Sequence, residues 1–306
     1  MLFPVLAAVA ILLPFGAREP LFHVGALGFD LPLTAAAVAA AVSFAYGLRR
    51  NVRFDALDWS VIALVAAWFL SALASTADSP KALGAAWRMS LGPVIFVFAR
   101  SLLPSRDRRR LLAVLAAGAG LAIAWKLAAG GIPSLPPSMA FNGTADLALF
   151  AILCACAGLP LAGLRGRNAG IAVAIGFAAT FLLAAILRGS HEPLPAWPSG
   201  KPLLGWGPGS RHGLPLWATL PAETGLVGSL AAVAAFWFAL RLVLPLFHRR
   251  PRTPEPWAAA GVAAVFIAAG ILRNPLHSLP CSLASWLALA VLLPPPAGSP
   301  IMRRRA

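Results

Sequence analysis

The sequence predicts an all-α integral membrane protein: a polytopic bundle of about ten transmembrane helices with one longer structured loop on the outer side. Three observations carry this. Of 306 residues, 59 % are hydrophobic and only 11 % charged, with a mean hydropathy of +0.80. A water-soluble globule of that length has nowhere to hide so much apolar surface, whereas a bilayer removes the difficulty. The apolar residues also fall into runs bounded by prolines, glycines or charge clusters, at roughly 2–16, 31–48, 59–77, 82–103, 111–130, 145–164, 169–188, 223–247, 257–273 and 279–294. Finally, basic residues crowd into every second loop, as topology signals do.

The first run, MLFPVLAAVAILLPFGA, has the length of a signal peptide but no basic leading region, so it reads as a first membrane helix. A crossing takes about 20 residues, so the first and last runs need a thinned bilayer or flanking anchors. With a cytoplasmic N-terminus, fifteen of the 25 Lys and Arg lie in inner segments, at 49–53, 106–110, 165–167, 249–252 and 303–305. Six lie in outer segments: Arg18, Lys81, Arg188, Lys201, Arg211 and Arg273. This places both termini in the cytoplasm and the stretch Arg188–Gly228 outside. The chain 1–306 is one membrane domain, with a loop at 188–223 between the seventh and eighth spans. The formal charge of +15 would suggest nucleic acid in a soluble chain; here topology accounts for it and no nucleic acid is expected. Cys154, Cys156 and Cys281 sit in apolar runs without zinc-ligand spacing, and read as small buried hydrophobes.

Four cations lie inside runs, where each is costly. Arg100 and Arg241 are near cytoplasmic ends and are expected to snorkel to the interface. Arg88 lies deeper, about two turns from the outer surface, and Lys126 about one turn. Lys126 can snorkel or turn inward, whereas Arg88 is expected to face a polar cavity. Arg188 ends the seventh run on the same side. Convergence of these three beneath the outer loop would suit an anionic group such as a pyrophosphate.

The outer loop carries Arg188, His191, Glu192, Lys201, Arg211, His212 and Glu223. Its prolines and glycines exclude one long helix, because proline removes a backbone donor and glycine costs conformational entropy. Within it, GWGPG (Gly205, Gly207, Gly209) imitates a dinucleotide fingerprint but has no preceding strand or βαβ unit, so it is a glycine-rich turn. No HExxH and no outer-loop DxD pair is present, which leaves a metal-dependent site without support and no cofactor expected.

The run PLLGWGPGSRHGLPLWATLPAETGLVGSL resembles the signature of the O-antigen ligase and polymerase family. There a P-x-x-G-x-G turn leads to a loop histidine and then to an L…E-x-G-x-x-G start of the next membrane helix. Pro202, Gly205, Gly207, His212, Leu220, Glu223, Gly225 and Gly228 fit that pattern. LRGS at 187–190 is similar to the family's S-R-G at a helix end. MAFNGTADLALFAILCACAGLPL, LDWSVIALVAAWFLSALAS and VFARSLL also read like family segments, so the resemblance spans about Leu57 to Val243. The chain departs from the pattern at Gly213, where the family has asparagine, and at Leu187, where it has serine. The segment between Arg188 and the glycine turn is also shorter.

The resemblance implies a GT-C-like bacterial inner-membrane enzyme with its active loop in the periplasm. It would move a glycan from undecaprenyl pyrophosphate to a hydroxyl on a lipid or glycan acceptor, inverting the anomeric carbon without metal. His212 would be the base, Arg188 and Arg211 would hold the pyrophosphate with Arg88 and Lys126 in support, and Glu223 would either orient His212 or simply occupy a helix N-terminus. Polymerase activity of the same family is an alternative. So is a transferase using a polyprenyl monophosphate donor and an acid in the first outer loop, where Glu19 and Asp30 lie. A non-enzymatic transporter of polyprenyl lipid or another anion is a third. It predicts broken helices or pseudo-symmetric halves; no such symmetry is visible, and Pro93 and the glycines of the fourth run are where a break would be sought. His277, beside Arg273, is a weaker candidate base, and His191 and Glu192 read as loop surface.

Overall fold

The structure, a computed structural model, describes residues 2–15, 22–24, 27–75, 79–131, 144–164, 166–186, 202–208, 216–249, 254–272, 276 and 278–297. Among these are ten helices: α1 (Leu2–Leu12), α2 (Leu31–Arg49), α3 (Ala56–Ala74), α4 (Ser79–Leu102), α5 (Ser105–Gly131), α6 (Thr144–Ala157), α7 (Gly166–Ile186), α8 (Leu216–Arg249), α9 (Pro254–Leu272) and α10 (Leu279–Leu292). Each lies on one of the apolar runs of the sequence. Proline, glycine and charge end them, because a bilayer helix must stop where backbone donors are lost or side chains need water.

Four of the ten are long and apolar enough to cross a membrane, within Leu31–Arg49, Ala56–Ala74, Pro80–Leu102 and Leu216–Pro245. Three other apolar helices are shorter, within Leu2–Leu12, Asp146–Ala157 and Leu279–Leu292. At 1.5 Å per residue, helices of 11 to 14 residues reach only about 16–21 Å, well short of a hydrocarbon core of about 30 Å. α10 compensates by being central. It packs on α4, α5, α6 and α9, and Cys281, Leu283, Ala284, Leu287, Ala288 and Ala290 are all buried. Its serines and alanines let neighbouring backbones approach, the usual device where lipid supplies no hydrophobic drive between helices.

A feature absent from the sequence expectation is a small antiparallel ribbon between α1 and α2. Its strands β1 (Phe22–Val24) and β2 (Leu27–Phe29) pair Phe22 with Phe29, whose rings stack at 4.9 Å. Asp30 then caps α2, its Oδ1 accepting from the Leu33 N–H at 2.9 Å.

Arg100 overturns the expectation that it snorkels. Its side chain is fully buried, because two carboxylates and a carbonyl meet it inside the bundle. Nη2 reaches Asp55 Oδ2 at 2.5 Å and Nη1 reaches Asp58 Oδ1 at 2.8 Å, while Nε donates to the Pro294 carbonyl at 2.8 Å. The two aspartates form a capping box at the start of α3: Asp55 Oδ1 accepts from the Leu57 and Asp58 N–H groups, and Asp58 Oδ2 accepts from the Asp55 N–H. Arg108, in the first turn of α5, donates to the carbonyls of Leu103 (3.0 Å), Leu293 (2.7 Å), Val291 (3.2 Å) and Arg100. Four helix ends, of α3, α4, α5 and α10, are thus tied by two arginines that satisfy otherwise orphaned carbonyls. Arg241, by contrast, stays exposed over the Trp237 ring at 5.7 Å, a geometry that suits an interfacial cation.

Candidate functional site

The glycine turn and the eighth helix form one unit. α8 starts at Leu216, earlier than expected, and is broken at Gly225, whose backbone (φ 62°, ψ −159°) is not helical. In an unbroken helix the Leu226 N–H would donate to the Ala222 carbonyl and the Val227 N–H to the Glu223 carbonyl. Both bonds are replaced from outside. Leu226 N–H donates to Pro202 O at 2.9 Å and Val227 N–H to Leu203 O at 3.2 Å. In return, Trp206 N–H donates to Ala222 O at 2.8 Å and Gly207 N–H to Glu223 O at 3.0 Å. Two helical bonds are exchanged for four bonds between segments, so the break leaves none of these four α8 backbone groups without a partner, as an apolar environment demands.

The glycines make the approach possible. A Cβ on Gly205 (φ +69°) would lie 2.5 Å from the backbone carbon of Glu223, and one on Gly225 would lie 2.4 Å from that of Leu203. Backbone meets backbone, with no room for a side chain between them. Gly207 in turn lies against Ser75 and Ala82, so the turn touches α3 and α4 as well. Gly228 sits one helical turn beyond Thr224, whose hydroxyl donates to the Leu220 carbonyl at 2.7 Å.

A buried polar strip faces this joint. Ser71 on α3 and Ser75, the residue that caps its C-terminal end, lie four positions apart and are buried, as are Thr219, Glu223 and Thr224 on the first part of α8. Ser71 Oγ donates to the Glu223 carbonyl, the same oxygen that accepts from Gly207. Ser71, Ser75, Thr219 and Thr224 were not singled out from the sequence. For the two serines the local signal is their spacing of four at the end of an apolar run; the two threonines carry none. Glu223 lies at the end of the first helical piece, two residues before the break beyond which the second piece begins.

The other expected site residues are dispersed or outside the described residues. His212, Arg188, Arg211 and Gly209 belong to the latter group, as do His191, Glu192 and His277. Arg88 is exposed and donates from Nη2 to the Gly28 carbonyl at 3.3 Å, which ties α4 to the ribbon. It lies about 120° round the helix from the face of Ala82, Ala86 and Met89, which packs in the cluster shared with Trp68 of α3. Lys126 is exposed on α5, which packs chiefly on α1, α6 and α10, whereas α4 packs chiefly on α2, α3 and α10. Among the described residues no group of three or more His, Cys, Asp or Glu is placed to hold a metal ion. Pro93 leaves α4 continuous; the break falls in α8.

The fold and this joint define an all-α chain with the build of a helical membrane protein, one of whose long apolar helices is interrupted and spliced to a glycine turn. No family model and no curated protein matches the chain.

Proposed function

We propose that the chain is an O-antigen ligase-like membrane glycosyltransferase: a GT-C-like bundle of about ten spans in a bacterial inner membrane, with cytoplasmic termini and a periplasmic active loop. One observation carries the reading. The two halves of the motif that resembles this family, PLLGWG and AETGLVG, bond to each other backbone to backbone, and Gly205 and Gly225 are the residues that close approach requires. A motif whose parts form one joint is a motif with a physical purpose, and His212 follows the joint directly in the chain.

The chemistry follows from residue types. His212 takes the proton of an acceptor hydroxyl, and the resulting oxygen forms a bond to the anomeric carbon as the bond from that carbon to the pyrophosphate oxygen breaks. Attack opposite the leaving group inverts the centre. The undecaprenyl pyrophosphate leaves with added negative charge, which Arg188 and Arg211 stabilise more strongly than they stabilise the bound donor. Imidazole suits the first task because its pKa lies near neutrality. Polymerisation differs only in that the acceptor is a second lipid-linked glycan.

The broken α8 favours one non-enzymatic reading as well, a transporter of polyprenyl lipid or another anion, since broken helices line transport sites. Proteoliposomes loaded with an undecaprenyl-pyrophosphate oligosaccharide separate the two. Wild-type protein with lipid A–core, or with a second donor molecule, as acceptor is expected to form the glycosidic product in the presence of EDTA. His212→Ala is expected to slow transfer by about a hundredfold to ten-thousandfold, the range for loss of a general base. Flipping of the lipid without transfer to either acceptor would instead favour the transporter.

A further inference from the structure

We infer that Ser71, on α3, is a positioning residue for the glycine turn at 202–208 and, through that turn, for transfer; this rests on the transferase reading above. Among the described bonds, the Glu223 carbonyl is shared by three elements. It belongs to α8, it accepts from the Gly207 N–H of the turn, and it accepts from the Ser71 hydroxyl of α3. Ser71 and Glu223 are 152 positions apart in the chain, and both are buried. Without Ser71, the turn and the broken helix are still bonded to one another but lose this hydroxyl link to the α3 backbone scaffold.

The direction of the effect follows from the sequence. Gly207 is five residues before His212 in the chain, so a turn fixed relative to α3 is expected to matter for the base of the transferase reading. α3 and α4 also hold the turn from the side, with Ser75 and Ala82 against Gly207. This makes Ser71 a point at which the position of the joint is set by a directional bond as well as by packing. A base displaced by an ångström loses alignment with the acceptor hydroxyl, and misplacement of that size costs turnover more than binding.

The test reads the link and its consequence separately. In purified wild type and Ser71→Ala, amide exchange is followed at Trp206, Gly207, Leu226 and Val227, with α10 as an internal control. Exchange at the four amides is expected to rise by about tenfold, the scale of one net hydrogen bond, while α10 is unchanged. In the transfer assay, Ser71→Ala is expected to lower kcat by about fivefold to tenfold with KM for the donor unchanged, and Ser71→Thr, which keeps the hydroxyl, to recover most of the loss. Unchanged exchange in Ser71→Ala, or raised exchange with kcat untouched beside an active wild type, overturns the positioning role alone. A wild type that transfers nothing overturns the transferase reading and takes the catalytic consequence with it, whatever the exchange shows.

Discussion

Gly225→Ala is expected to lose about 3 kcal/mol or more of stability, the sum of strain in a backbone region open essentially to glycine and of hydrogen bonds displaced from apolar surroundings. At φ 62° and ψ −159° an alanine is strained even in open space. Here space is also lacking, because the new Cβ would lie 2.4 Å from both the carbon and the oxygen of the Leu203 carbonyl group. The chain has two ways out. Either the turn lifts off α8 and strands the four backbone groups it had satisfied, or α8 straightens and recovers its two helical bonds while the turn loses its partners. In both cases the joint is gone, and transfer activity should go with it. Gly163→Ala is the control: Gly163 also has positive φ, at +66°, yet nothing lies within 4 Å of a Cβ there. Thermal unfolding in detergent should show a large drop for Gly225→Ala and a small one for Gly163→Ala. Equal melting of the two, with amide protection kept at Leu226 and Val227, would mean that the joint does not depend on this glycine.

That joint marks where sequence reasoning stopped. The helices were legible because each run is punctuated by residues that cannot continue it, and α2 at Leu31–Arg49 and α9 at Pro254–Leu272 fall within a few residues of the runs that foretold them. The eighth run begins at 223, just after Pro221, whereas α8 begins at Leu216. Pro221 is in fact inside the helix, and Gly225 interrupts it only because a segment about twenty residues earlier supplies the missing partners. A break of that kind is invisible without its partner. The ribbon of β1 and β2 was missed for a different reason: strands of three residues are too short to show an alternating period. For Arg100, an interfacial cation at a helix end defaults to snorkelling, and its partners Asp55 and Asp58 lie more than forty positions away. One signal was available, since Asp55 three residues before Asp58, ahead of an apolar run, is the spacing of a capping box.

Arg100→Met should be about as damaging as the break in α8, at about 3–5 kcal/mol, because it removes one partner of a buried ion group and leaves the others unpaired. Asp58 is fully buried, and the side chain of Asp55 is 29 % exposed. Neither can turn wholly to water without unwinding the first turn of α3, whose backbone donors they cap. Arg100→Lys should fall between, since an ammonium is a compact point of charge and cannot bridge two carboxylates and the Pro294 carbonyl as a planar fork does. Replacing all three charges, as Asp55→Asn with Asp58→Asn and Arg100→Met, should be milder than Arg100→Met alone, because no buried charge is then stranded. The pH dependence discriminates further. Burial raises the Asp55 carboxyl, but the Arg100 hydrogen bond and charge, with the Asp58 and Leu57 N–H groups, outweigh it and hold it below the ordinary carboxylate value of 3.8. A depressed carboxyl contributes stability that is complete above its unfolded pKa and is lost only as pH falls through its folded one, so wild type should hold this contribution down to about pH 4. In Arg100→Met the arginine's share of the downward pull is gone while the Asp58 and Leu57 N–H groups and the burial remain, so the Asp55 carboxyl moves up and takes its proton at a higher pH than in wild type. The stability gap between the two proteins, measured by unfolding in detergent, should therefore be wider at about pH 7 than at about pH 5. A gap that does not narrow with acid would show that the aspartates find other partners when the arginine is gone.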